Sequence, residues 1–120
     1  MAPERARRPT SAFCFLPSAP LVGQAMNMHD TETELTRLRD AIDRVDEVIV
    51  RLLNQRAKYA VEVGELKGVL GMPIYAPERE KEVLQHVERI SEGPLDPATV
   101  RRLFERIIDE SRRVEREAAK

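Results

Sequence analysis

Arg56 stands where an apolar residue is due. The series Leu35, Leu38, Ile42, Val45, Ile49 and Leu52 advances by 3, 4, 3, 4 and 3 residues, the period of one helix face. The same steps continued reach position 56, an arginine, and Lys67 falls eleven residues later close to the same face. A buried cation without a counter-anion is strongly unfavourable, yet the residues one turn from Arg56 are Leu52, Leu53, Tyr59 and Ala60, none of them acidic. Either these cations reach solvent or pair with acids on other helices, as charge normally does, or the missing anion is a ligand. Arg79 and Glu80 open a second patterned segment, and Glu115 extends the 104, 108, 111 stripe of a third, one turn beyond Ser111. Singly, Arg79 and Glu80 are a solvated helix start and Glu115 a surface acid near a terminus. Together on inward faces, these residues describe a polar pocket inside a helical bundle, suited to holding an anion.

The elements that must position them follow from the same periodicity. Thr31 and Glu34 have capping-box spacing, and no Pro or Gly interrupts the pattern until Gly64, so the spacing predicts one helix over about 31–69. At 1.5 Å per residue it is about 58 Å long, too long to bury its seam within one small protomer, so its partners must include helices of another chain. Gly71, Pro73 and Pro77 mark a connection, with Pro77 in the first turn of a second helix reaching about Ser91 and burying Val83, Leu84, Val87 and Ile90. After the break at 92–95, Asp96 is a cap and Pro97 the first residue of a third helix. Its inward residues are Val100, Leu103, Phe104, Ile107, Ile108, Ser111 and Val114. The expected fold is all-α, with one very long, one short and one medium helix in an intertwined helical-bundle homodimer.

Composition agrees. A chain of 120 residues with no Trp, two Tyr and three Phe has little aromatic material for a sandwich core, which favours helices. Twenty basic against 21 acidic residues, a net charge of −1, exclude the footprint of a general nucleic-acid binder. Cys14 has no intrachain partner and lacks metal-ligand spacing, which fits a reducing, cytoplasmic setting. Arg5, Arg7 and Arg8 precede the apolar stretch 12–22, but Pro17 and Pro20 interrupt it and it is too short to cross a membrane. Residues 1–28 are expected to be a disordered tail, with Met26 and Met28 as alternative starts, and 29–120 the folded domain.

Leu35-x-x-Leu38-Arg39-x-x-Ile42-Asp43-x-x-Asp46, Leu52-Leu53-x-x-Arg56, Ala60-x-Glu62-Val63-Gly64-x-x-Lys67, Pro73-Ile74-Tyr75-x-Pro77-Glu78-Arg79-Glu80 and Leu103-Phe104-x-x-Ile107-Ile108-x-x-Ser111 follow one another in order. That ordered set, over about residues 31–116, closely resembles the all-helical AroQ class of chorismate mutases. The resemblance implies a homodimer that rearranges chorismate to prephenate, in phenylalanine and tyrosine biosynthesis, with no metal or other cofactor. It also implies that Arg39 and Arg56 clamp the two substrate carboxylates. Seventeen residues of helix separate the pair by about 25 Å, so Arg39 must come from the other subunit. By the same carry-over Lys67 donates to the ether oxygen, Glu80 accepts from the substrate hydroxyl beside Arg79, and Val63, Ile108 and Ser111 shape the wall.

Two positions depart from the best-known bacterial pattern. Ala76 stands where Asp often precedes the second helix, so a contact near the hydroxyl or a helix cap is expected to be missing. Glu115 stands where many relatives carry Gln. A carboxyl group donates only when protonated, so Glu115 is expected to act as a neutral acid, with activity declining at alkaline pH. A rival reading is an isochorismate pyruvate-lyase, which resembles the same scaffold and shares Ala76-Pro77-Glu78-Arg79; Glu80, where that relative is typically apolar, favours the mutase. A non-enzymatic dimerisation module, or a mutase activated by a neighbouring aromatic-pathway enzyme, are the other readings.

Overall fold

The computed structural model describes residues 27–120, which form three helices: α1 (Met28–Leu70), α2 (Pro77–Ile90) and α3 (Pro97–Ala118). The all-α expectation and the order long, short, medium are both met. The tail assigned to residues 1–28 lies, up to residue 26, outside the described residues. The chain divides into two compact units, one ending at Ile42 and the other Asp43–Lys120. The first holds the opening turns of α1; the second holds the rest of α1 with α2 and α3.

α1 starts earlier than the Thr31–Glu34 spacing predicts. Asn27 is the cap: its Oδ1 accepts from the Asp30 N–H at 2.8 Å and its carbonyl accepts from the Thr31 N–H at 3.1 Å. Asn is among the strongest N-cap residues, and with the helix already formed the Thr31 hydroxyl bonds back to the Asn27 carbonyl at 3.1 Å. At the other end Gly71 takes φ +68°, a left-handed conformation that costs glycine least. The Met72 N–H then reaches the Lys67 carbonyl at 2.9 Å and the Gly71 N–H the Gly68 carbonyl at 3.4 Å, the two bonds of a Schellman stop. Pro73 prevents any continuation.

α2 opens with Pro77 and has no side-chain cap at Ala76, as the Asp-to-Ala departure implies. α3 opens as expected: the Asp96 side chain accepts from the Thr99 N–H at 2.8 Å and Pro97 follows. That backbone bond holds the Asp96 carboxyl below its ordinary range. The cap therefore contributes stability above the usual carboxylate range and loses it as pH falls through the depressed value.

The second unit packs α2 against α3 around Leu84, Val87 and Ile108, with Ala60 of α1 also buried. Two positions expected inward are not. Leu103 is 54% exposed and Ile90 59% exposed. An amphipathic helix presents a stripe wider than one neighbour covers, and Leu103 lies about 100° round the helix from half-buried Phe104. The seam of α1 is also open in the single chain: Ile42 is 57% and Leu52 62% exposed.

α1 and α3 touch backbone to backbone at Gly64. A Cβ there would lie 2.7 Å from the Glu115 Cα, inside any ordinary contact, and at Gly68 one would lie 2.9 Å from the Ala119 carbonyl oxygen. Gly64→Ala must therefore push the helices apart. The expected loss is about 1–3 kcal/mol, the range for overpacking, read as a lower urea midpoint at unchanged m-value. An unchanged midpoint would show that α3 yields without cost.

Candidate active site

Within the second unit, α1, α2, α3 and the α1–α2 connection enclose a cavity of about 480 Å³. α1 presents Arg56, Val63 and Lys67 to it, α2 presents Arg79 and Glu80, and α3 presents Ile108, Ser111 and Glu115. Eight residues singled out by helical register and resemblance thus line one space. Arg39 belongs to the first unit, is exposed, and is not among the lining residues.

The register of α1 explains the pairing. Lys67 sits one turn beyond Gly64, where α3 comes closest, and its Nζ donates to Glu115 Oε1 at 2.8 Å and to the Ile74 carbonyl at 2.9 Å. Both side chains are largely shielded, at 14% and 15% exposure. So Lys67 does pair with an acid on another helix, the plainer of the two fates open to it. In this pair Glu115 is the acceptor.

Arg56 differs. Its Nη1 donates to the Ser111 hydroxyl, which itself donates to the Ile107 carbonyl at 3.0 Å. Its only protein hydrogen-bond partner among the described residues is neutral. Burial, reinforced by the neighbouring Arg79 guanidinium and opposed by Glu115, pulls the Arg56 guanidinium below its ordinary value. A half-buried cation in this state gains from any anion that enters the cavity.

Sequence patterning missed Arg112. It lines the cavity, its Nε donates to Glu80 Oε2 at 2.7 Å, its Nη2 donates to Asp109, and its guanidinium carbon lies 5.8 Å from the centre of the Tyr75 ring. Burial pulls this guanidinium down, but Glu80 and Asp109 together hold it above its ordinary value. No local signal marks it, because Glu80 is 32 residues away. Counting Arg112, four cationic and two acidic side chains line the cavity, an excess of two positive charges. An anion-holding site with hydrogen-bond donors at fixed positions is what this arrangement can provide.

The chain matches the family described as chorismate mutase type II over residues 38–116. It is 46% identical over 78 residues to a bifunctional chorismate mutase/prephenate dehydratase of Neisseria gonorrhoeae, an alignment covering 65% of this chain and 21% of the relative. The chain spans between 16% and 21% of the length of the first curated relatives it matches. Among solved structures it resembles chorismate mutase of Thermus thermophilus, with 38% identity, a TM-score of 0.67, and coverage of 68% of this chain and 93% of that one. It also resembles chorismate mutase of Helicobacter pylori in complex with prephenate, with 27% identity, a TM-score of 0.66, and coverage of 72% and 93%.

Proposed function

The chain belongs to the chorismate mutase type II family, and from that premise we propose that it rearranges chorismate to prephenate in a site completed by a second copy of itself. The observation that carries the reading is the cavity's excess of two positive charges around Arg56, a half-buried cation whose protein partner is a neutral hydroxyl. A dicarboxylate matches that charge.

The reaction is intramolecular, so the protein need not form a bond to the substrate. It must hold the flexible dianion compact and stabilise charge as the ether bond breaks. Arg56 grips one carboxylate with a bidentate fork. Lys67 turns from Glu115 to the ether oxygen, where negative charge develops, so its contribution is greatest in the transition state. Glu80 accepts from the substrate hydroxyl beside Arg79, and Val63, Ile108 and Ser111 bound the ring.

The exposed apolar seam of α1 supports the homodimer. So does a second cleft of about 370 Å³, which shares Arg56 and Ser111 with the first and is lined by Leu53, Ala57, Ile107 and Val114. A partner helix laid along both buries them and delivers Arg39 to the second carboxylate. Among the described residues no helix is long and apolar enough to cross a membrane; we place the enzyme in the cytoplasm on the strength of its single cysteine.

Glu115 supplies a further prediction. Glu115→Gln removes the carboxylate that holds Lys67 at 2.8 Å and puts an amide donor in its place, leaving Lys67 free for the ether oxygen. kcat/KM for chorismate is expected to be kept within about 10-fold, and a larger loss in initial-rate measurements would show that the carboxylate itself is required.

The primary test follows the loss of chorismate absorbance with the purified full chain, with isochorismate in a parallel reaction. Turnover of chorismate without pyruvate release is expected. Pyruvate released only from isochorismate would make the protein the lyase, and no turnover of either would leave the cavity without this chemistry.

A further inference from the structure

Most arginines of α3 pair along their own helix. Arg106 meets Glu110, and Arg113 meets Glu110 and Glu117, at spacings of three or four residues and in exposed positions. Such pairs contribute little. Arg112 is different: it crosses to α2 through a 2.7 Å charge-assisted bond to Glu80 that is more shielded than those pairs, and both shorter and more shielded than the 3.5 Å Arg101–Glu88 pair that also joins α3 to α2. The two arms of its fork are both used, Nε on Glu80 and Nη2 on Asp109. Its flat face lies near Tyr75 of the α1–α2 connection.

The start of α2 needs such a tie. Ala76 offers no side-chain cap, so the turn that carries Arg79 and Glu80 into the cavity has no local side-chain bond at its first residue. Arg112 occupies Glu80 Oε2 only; among the described residues nothing donates to Oε1. Glu80 is thus tethered through one oxygen and keeps the other for a hydroxyl.

We propose that Arg112 is a positioning residue: from α3 it holds the Glu80 carboxylate, and with it the uncapped first turn of α2, in the orientation that receives the substrate hydroxyl. This rests on the mutase reading. Arg112 acts through Glu80 and does not contact the reacting atoms. A lysine cannot replace it, because a single ammonium cannot hold Glu80 and Asp109 at the angle the planar fork sets.

The experiment is a double-mutant cycle on full-length protein with chorismate as substrate: Arg112→Ala, Glu80→Gln and the pair, with Arg112→Lys alongside. Arg112→Ala is expected to lower kcat/KM by about 10-fold, and Arg112→Lys to recover little of it. In the Glu80→Gln background Arg112→Ala changes the rate by less than about 2-fold, because the group it positions is gone. Arg112→Lys keeps the charge and the aliphatic stem, so a loss shared by both variants at an unchanged melting temperature is not a folding defect. If the two single losses multiply in the double variant, or Arg112→Lys is fully active, the positioning role is overturned while the mutase reading stands. If the unaltered protein does not turn over chorismate, both fall together.

Discussion

Lys67→Ala lowers kcat/KM for chorismate by about 10²–10³-fold, the cost of removing one preorganised donor aimed at developing negative charge. The loss falls mainly on kcat, since the ether oxygen gains its charge only as the bond breaks. Lys67 also donates to Glu115 and to the Ile74 carbonyl, so the truncation leaves a shielded carboxylate and a carbonyl unpartnered. Some stability is therefore lost as well, on the order of 1–3 kcal/mol. The two effects separate: initial rates taken well below the melting temperature report the chemistry, and urea titration reports the structure. A variant with near-normal kcat would remove Lys67 from the reaction.

The second large effect requires two chains. Arg39→Ala and Arg56→Ala each lower kcat/KM by at least about 10²-fold, because each removes a charge-assisted grip on one carboxylate. When the two inactive proteins are unfolded together and refolded, half the dimers pair one variant with the other. Each mixed dimer then has one site with both arginines intact and one with neither, so about a quarter of the unaltered activity returns. Mixed protein as inactive as its parents would mean that Arg39 does not serve the other subunit's site. This test bears directly on the first unit, where Arg39 is exposed on α1.

What was legible in the residues was the part governed by local physics. Regular steps of three and four marked α1, Asp96-Pro97 marked the start of α3, and interruption of an apolar face by Arg56 marked the cavity. The errors share a different origin. Thr31 and Glu34 have the right spacing for a capping box, but Asn27 lies earlier and caps first; where two good caps compete, spacing alone cannot choose between them. Leu103 and Ile90 fit the inward stripes of their helices yet remain exposed, because periodicity gives a face and not the width of what covers it. The Arg112–Glu80 bond joins residues 32 apart on different helices, a tertiary fact with no trace in either neighbourhood. Gly64 was read as a mere interruption; its role emerges only once the Glu115 backbone is seen against it.

Among the described residues the apolar side chains buried in one chain are Ala60, Leu84, Val87 and Ile108, and none of them is fully withdrawn from water. Burying a large aliphatic side chain contributes roughly 1.5–3 kcal/mol, whereas ordering each residue of backbone costs about 1–2 kcal/mol. A core this thin is little for three helices, so in the proposed homodimer folding and association become a single equilibrium. The protein's midpoint of unfolding then depends on how much of it is present: dilution acts as a denaturant, and the cell's expression level sets the fraction of chains that are folded at all.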